Sequence, residues 1–325
     1  MRLPRRQFLH LTAAALALPT LSRSAGAQSY PSRPVRILVG YAPGGETDIT
    51  ARLIGPWLSE RLGQQFVVEN RPGASGNIAA EAVVRASPDG YTLLLTAANN
   101  AYNATLYDQL RFNFIRDIAP VAGICRGSFV MVVNPSFPAK TVAEFIAYAK
   151  TNRGKLNLGA SGAGSGSQLY GELFRSMAGI ELAAVNYRGV GAALPDLMAG
   201  RLEVMFIPAA TAIGYVKAGT LRALGVTSPT RLDVLPDVPA ISDSVPGYEA
   251  ISWTGLGAPA STPAEIIATV NREVNAALAD ATFKARLADL GMQPFAGSPA
   301  EFAKFIADYT DKWGKVIRAA GIKAE

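Results

Sequence analysis

The stretch YAPGGETDIT, residues 41–50, joins an apolar run to an amphipathic one and decides how this chain folds. The run Val35–Tyr41 before it is typical of a buried strand, and Ile49–Leu62 after it carries apolar residues at helical spacing. A strand–glycine–helix junction of this kind is typical of α/β proteins and directs free backbone N–H groups towards an anion. Thr47 or Asp48 is expected to cap the helix.

The same alternation of strands and helices continues along the rest of the chain. Helices are predicted at Asn77–Ala86 and Ala192–Ala199 and in segments that end near Lys150, Met177, Asp280 and Ala320. Such βαβ units predict an α/β fold with two parallel or mixed sheets and flanking helices. Further strands are predicted at Phe66–Glu69, Tyr91–Thr96, Phe129–Val133, Leu156–Gly159, Leu182–Tyr187, Val204–Ile207, Leu221–Thr227 and Ile251–Ala258.

The strands fall into blocks that predict two lobes. The first part of lobe one is expected at 28–126, lobe two at 127–226, and the completion of lobe one with the C-terminal helices at 227–325. Ligands of such sheets bind beyond the carboxyl ends of the strands. Two facing lobes therefore predict one cleft and hinge closure on a ligand.

The first 27 residues have the pattern of an export signal. Arg5-Arg6-Gln7-Phe8-Leu9 is a twin-arginine motif, and Ala25-Gly26-Ala27 supplies a cleavage site after Ala27. An N-terminal membrane anchor is the alternative, but the apolar run ends near Leu18 and is too short to span a bilayer. Without this segment the net charge falls from +6 to +2, which argues against a nucleic-acid partner. The expected location is the periplasm.

Two residue types are nearly absent, and this excludes several chemistries. The only histidine, His10, lies in the export signal, and the only cysteine is Cys125. The processed chain therefore has no Ser-His-Asp triad, no Cys-His dyad, no histidine metal site and no disulfide. We expect no catalytic residue, no metal and no cofactor.

Further strand-to-helix loops are candidates for ligand contact. The loop Gly159–Gln168 is rich in glycine and serine and opens a helix, but it lacks the lysine of a phosphate-binding loop. The segment Asn186–Gly191 contains Arg188, and the predicted loop Ala97–Asn100 carries two amides. The candidate residues of these three loops are Ser161, Gly162, Ser165, Ser167, Gln168, Tyr187, Gly189, Asn99 and Asn100.

These loops, in this order, resemble the Bug family, the solute-binding receptors of tripartite tricarboxylate transporters. The resemblance implies a two-domain periplasmic-binding-protein fold, type II-like, that closes on a small carboxylate and delivers it to membrane transporter subunits. It implies ligand contacts at Gly44, Gly45, Thr47 and Asp48 together with the candidates in the second lobe. We expect a monomer. The motifs that carry it are Tyr30–Pro34, Pro43–Asp48, Val67–Gly73, Pro88–Leu93, Gly171–Phe174, Leu221–Leu224 and Leu235–Pro239.

The chain departs from the family pattern at three positions. The family often has a small residue at Glu46, a histidine at Gln168 and an aspartate near Ile207, so a more apolar acid becomes a candidate ligand. Glu46 itself is expected at the surface, where a carboxylate in the first turn of a helix gains from the macrodipole. A cationic group of the ligand is its alternative partner.

Two other functions stay open on the sequence alone. A periplasmic sensor subunit for a membrane signalling system would need the same binding site. A histidine-free periplasmic hydrolase would have to rely on Asp and Glu chemistry.

Overall fold

The computed structural model describes residues 30–107 and 109–323. The export signal at 1–27 therefore lies outside the described residues. Within that range the strands, named β1 to β10 in chain order, are Val35–Val39, Phe66–Asn70, Thr92–Ala97, Ile118–Val133, Asn157–Ala160, Ala183–Asn186, Val204–Pro208, Arg222–Val226, Ile251–Pro259 and Met292–Pro294.

The helices pack on both sides of the strands. Short 3-10 turns lie at Ala74–Gly76 and Ile241–Asp243. The described α-helices, named α1 to α11, are Glu46–Leu62, Asn77–Val84, Ala98–Leu106, Phe114–Asp117, Val142–Thr151, Gly166–Ala178, Val190–Met198, Ala209–Lys217, Ala264–Ala279, Ala281–Asp289 and Pro299–Ala320.

Strand β4 belongs to two sets of strands. Along Ile118–Ser128 it pairs with β9, and the first set has the order β2-β1-β3-β9-β4-β10. From Phe129 onwards it pairs with β7 and β8, and the second set has the order β8-β4-β7-β5-β6. Both sets are mixed, because β4, β8, β9 and β10 run antiparallel to their neighbours. The expected α/β class with mixed sheets is confirmed, whereas the lobe boundaries at 126 and 226 stay a prediction.

Five of the six described parallel strands are followed directly by an α-helix, and the exception is β2, which is followed by the 3-10 turn Ala74–Gly76. In the first set β1 and β3 are followed by α1 and α3, and in the second set β5, β6 and β7 are followed by α6, α7 and α8. Parallel strands place their carboxyl ends at the same sheet edge. The N-termini of these five helices are therefore available to build one site.

An aromatic cluster anchors two of those helices. Trp313 on α11 is fully buried, and its ring centroid lies 5.0 Å from that of Tyr170 on α6 and 6.4 Å from that of Tyr102 on α3. Aromatic pairs of this geometry contribute roughly 0.5–1.5 kcal/mol beyond their burial. The C-terminal helix thereby holds elements that follow strands of both sets.

The structure corrects several predicted elements. Helix α1 begins at Glu46 rather than Ile49, and β4 is far longer than the predicted strand Phe129–Val133. The sequence pattern predicts neither α3 nor α8, because each has only nine residues and is too short to show a clear helical period. Among the described residues, no helix combines the length and the apolarity that a membrane crossing needs.

Candidate functional site

A cleft of about 660 Å³ lies at the carboxyl ends of the parallel strands that precede α1, α3, α6, α7 and α8. The first residues of five helices line it, and they belong to α1, α3, α6, α7 and α8. The N-terminus of a helix carries a partial positive charge and unpaired N–H groups. The described residues that line the cleft include no Lys, Arg or His. Any positive potential in the cleft therefore comes from the backbone.

The first glycine loop is held from behind by Asp48. Gly44 has a φ of +87°, which favours glycine, and its N–H donates to Asp48 Oδ2 at 2.9 Å. Arg52 Nε and Asn70 Nδ2 also donate to this carboxylate, at 2.9 and 2.8 Å. Desolvation opposes the ionisation of Asp48, which is only 3% exposed, but these hydrogen bonds outweigh it and lower the pKa of the carboxyl. Asp48 therefore fixes the loop as a buried anion.

The start of α1 has no side-chain cap. Its N-cap is Gly45, so the expectation that Thr47 or Asp48 caps the helix is wrong. Both residues already lie in the first turn, because the glycine loop ends earlier than the sequence indicated. A Cβ at Gly45 would meet only Ala42 O, at 3.9 Å. The space beside Gly45 is therefore open, and Gly45 lines the cleft.

The second glycine loop is braced by its own polar side chains. Ser165 caps α6 by accepting a hydrogen bond from Gln168 N at 3.4 Å, and Ser161 Oγ donates to Ser167 Oγ at 3.1 Å. Gln168 Oε1 accepts from the N–H of Gly164 at 2.7 Å. Gly162, with a φ of +126°, turns the loop towards the cleft. These contacts present a preformed row of hydroxyl and N–H groups.

In two further loops only one of the two predicted residues lines the cleft. Gly189 is the N-cap of α7 without a side-chain cap and lines the cleft, whereas the Tyr187 hydroxyl donates to Asp196 Oδ2 at 2.7 Å. Asn99 lines the cleft, whereas Asn100 Oδ1 accepts from Ala97 N at 2.9 Å. The predicted loop Ala97–Asn100 is in fact the start of α3.

Aromatic residues form much of the remaining wall, and no sequence pattern predicts their place in the site. The rings of Phe129 and Tyr170 meet edge to face at 4.7 Å, and the Tyr41 hydroxyl donates to Ser75 O at 3.2 Å. Trp253 on β9 and Tyr215 on α8 complete the set. No local pattern links these residues, because they come from five separate segments of the chain.

Glu46 lies in the first turn of α1 as expected, but it is half-buried and lines the cleft instead of lying on the open surface. Its carboxylate accepts a hydrogen bond from Ser252 Oγ, at 2.9 Å from Oε1 and 3.3 Å from Oε2. Burial raises the pKa of the Glu46 carboxyl, and the hydrogen bond from Ser252 lowers it by less. The helix turns this side chain towards β9, which the 3.6-residue period alone did not indicate.

Comparison with known proteins settles the family. The family model described as "Tripartite tricarboxylate transporter family receptor" matches residues 50–322. The chain belongs to this family.

Solved structures of similar proteins agree with the fold of this receptor. It is 36% identical to Rpa4515 from R. palustris, solved with adipate, with a TM-score of 0.84 over 91% of this chain and 100% of that one. It is 29% identical to the periplasmic binding protein BugD, with a TM-score of 0.81 over 91% of this chain and 100% of that one. It is 31% identical to MatC from Rhodopseudomonas palustris, solved with bound malate, with a TM-score of 0.79 over 89% of this chain and 100% of that one. The resemblance to the Bug family and the two-domain periplasmic-binding-protein fold are confirmed.

The receptor's cleft contains most, but not all, of the residues predicted to contact a ligand. Five of the thirteen do not line the cleft and make hydrogen bonds within the protein instead: Asp48, Asn100, Ser167, Gln168 and Tyr187. The structure brings the other eight together along the wall: Gly44, Gly45, Thr47, Asn99, Ser161, Gly162, Ser165 and Gly189. Direct ligand contact by these eight stays a prediction.

Proposed function

We propose that this receptor is a periplasmic solute-binding protein that binds a small carboxylate in the cleft and delivers it to a membrane transporter. The observation that carries the proposal is the convergence of five helix N-termini and two glycine-rich loops on one cleft. Unpaired N–H groups at helix starts bind carboxylates without a basic side chain. Rpa4515 with adipate and MatC with malate are relatives that bind acids of this class.

The two glycine loops that form opposite sides of the proposed site come from different parts of the chain. Gly44, Gly45 and Thr47 belong to the segment proposed as lobe one, at 28–126 and 227–325. Ser161 and Ser165 belong to the segment proposed as lobe two, at 127–226. A carboxylate bridging both loops would be stabilised most in a closed cleft, so closure is the expected response to binding.

The proposal excludes catalysis by this chain. A binding protein needs no nucleophile and no general base, and the Asp48 carboxylate is already engaged by three donors in the loop. The receptor is proposed to act as a monomer, to need no cofactor and no metal, and to bind no nucleic acid.

The export route is part of the same proposal. The twin-arginine motif at Arg5 and Arg6, with cleavage after Ala27, would carry the receptor to the periplasm. Changing both arginines to lysine should block export, as measured by fractionation of cells and immunoblotting. Normal export of that variant would rule out the twin-arginine route and leave the general secretory route.

Mass spectrometry of the freshly purified receptor under native conditions tests the binding function. A bound small molecule is expected, and its identification after release should give an organic acid. Small-angle scattering should show a smaller radius of gyration when that acid is added to the ligand-free receptor. A released molecule without an acid group would contradict the proposal. Uptake of the acid by cells lacking this chain should fall, which separates delivery to a transporter from sensing.

A further inference from the structure

Glu46 is the only Asp or Glu among the described residues that line the cleft. Its carboxylate accepts a hydrogen bond from the Ser252 hydroxyl, whose Oγ also lies 3.1 Å from Gly127 O. An ionised carboxylate offers about four lone-pair positions. Most of the acceptor capacity of Glu46 is therefore unused by the described residues.

The groups around Glu46 provide no positive charge. Its ionisable neighbours are Tyr41, Cys125, Tyr170 and Tyr309. Burial raises the pKa of each of them, in the case of the Cys125 thiol to about 12, so all four are neutral at physiological pH. A half-buried carboxylate that has one neutral donor and no cation beside it among the described residues is unfavourable for folding. Such an arrangement is typical of functional sites.

When Glu46 is ionised, its charge also affects which acids can bind. A simple carboxylate held at the glycine loops would bring a second negative charge into the cleft. Like charges in a poorly solvated site repel each other, which weakens binding or forces one group to take up a proton. A positive charge on the ligand itself removes this penalty. The aromatic residues Tyr41, Tyr170 and Trp253 also line the cleft, and aromatic side chains attract cations.

We propose that the ligand is an aminocarboxylate, whose cationic nitrogen binds to Glu46 while its carboxylate binds to the glycine loops. This inference rests on the proposed function, because it assigns the ligand class of the same cleft. Glu46 is then the residue that distinguishes zwitterions from plain acids. The cation can be a protonated or a quaternary nitrogen, since both bind to a carboxylate flanked by aromatic rings.

Matched pairs of probes test the inference by calorimetric titration. Each pair differs in the charged nitrogen: ε-aminocaproate and caproate, L-leucine and isocaproate, L-phenylalanine and hydrocinnamate, glycine betaine and tert-butylacetate. The native receptor is expected to bind the aminocarboxylate of at least one pair tenfold or more tightly than the plain acid. In the Glu46→Gln variant that aminocarboxylate should lose at least tenfold in affinity, about 1.4 kcal/mol. The plain acid should bind to the variant equally well or better.

Glu60→Gln is the matched control, because Glu60 is exposed on the same helix and does not line the cleft. It should bind every probe as the native receptor does. Thermal denaturation of Glu46→Gln checks that the variant is folded, so that a loss of binding reports on the site.

The result that overturns the inference differs from the one that overturns the proposed function. Equal or tighter binding of the plain acid in every pair, or unchanged binding of the aminocarboxylate by Glu46→Gln, overturns the inference. A panel without any binding aminocarboxylate does the same. If the molecule released from the purified receptor is an acid without nitrogen, the carboxylate function stands and the zwitterion inference fails. If that molecule has no acid group, both fail.

Discussion

Replacing Gly45 by valine is the most direct test of the proposal that the two glycine loops bind the ligand carboxylate. Gly45 has φ −83° and ψ 171°, which valine adopts without strain, and a Cβ there would meet only Ala42 O at 3.9 Å. Glycine is a better N-cap than valine, but valine restricts the unfolded chain, so the two effects oppose each other. We expect the free energy of unfolding to change by less than about 1 kcal/mol, a shift of roughly 2–4 °C in Tm.

The effect on binding should be much larger. The isopropyl group would cover the N–H groups of Gly45 and Glu46 at the start of α1. A hydrogen bond to a charged group contributes about 1.5–3 kcal/mol, so the loss of two amounts to about 3–6 kcal/mol. At about 1.4 kcal/mol per factor of ten, the affinity should fall by roughly 10²–10⁴-fold.

Calorimetric titration with the acid released from the native receptor measures this loss, and thermal denaturation measures stability in parallel. Gly214→Val is the control, since Gly214 is exposed on α8, and a Cβ there would meet no atom within 4 Å. It should keep native affinity. If folded Gly45→Val binds the acid within about threefold of native, roughly 0.7 kcal/mol, the first glycine loop does not hold the carboxylate.

Three further substitutions have separate expected outcomes. Ser165→Ala removes the cap of α6 and a cleft hydroxyl, so chemical denaturation should show a loss of about 0.5–2 kcal/mol and titration a loss of about 0.5–1.5 kcal/mol in affinity. Asp48→Asn should lower the free energy of unfolding by about 2–4 kcal/mol at neutral pH. Because the pKa of Asp48 is lowered on folding, its contribution is present above the unfolded pKa of about 3.9, and the difference from native should shrink as the pH falls below that value. Glu46→Gln should raise the Tm of the ligand-free receptor. Because folding raises the pKa of the Glu46 carboxyl, the native protein loses stability as the pH rises above the unfolded pKa of about 4.3. The gain in Tm should therefore appear above about pH 4.3 and vanish below it. A gain of Tm that persists in acid would contradict this explanation.

The glycine loops could be predicted because their signals are local. A strand, two glycines and a helical period lie next to each other around Gly44, and this pattern fixes both the turn and the exposed N–H groups. The same holds for the cap at Ser298, where Ser298 Oγ accepts from Glu301 N at 3.2 Å and Glu301 Oε2 accepts from Ser298 N at 2.8 Å. In both places the contacts that determine the turn or cap join residues that lie within a few positions of each other in the sequence.

A similar pattern failed where a neighbouring turn intervened. The pattern Thr262-Pro263-Ala264-Glu265 predicts the same kind of cap, with Pro263 in the first helical position. In the structure Pro263 is itself the N-cap of α9, and the N–H of Thr262 closes a turn with Pro259 O at 2.9 Å. That turn depends on where β9 ends, which the four residues do not reveal.

Long-range packing explains the other differences. Helix α3 is stabilised by Tyr102 and Leu106, both buried, and the Tyr102 ring lies 6.4 Å from that of Trp313 at the far end of the chain. The location of Glu46 likewise depends on Ser252, 206 positions later. Sequence patterns describe which residues share a helix face, but not which distant strand that face meets.

The shared strand β4 has a consequence for folding during synthesis. Its first part pairs with β9, which ends only at Pro259, and with β10, which ends at Pro294. A nascent chain therefore holds a long apolar strand without these partners until most of the molecule has emerged. Native contacts separated by more than a hundred residues slow folding and prolong the exposure of unpaired strand edges. The chain thus depends on protection from aggregation until its last third is made, and a chain truncated before β9 should be degraded or become insoluble.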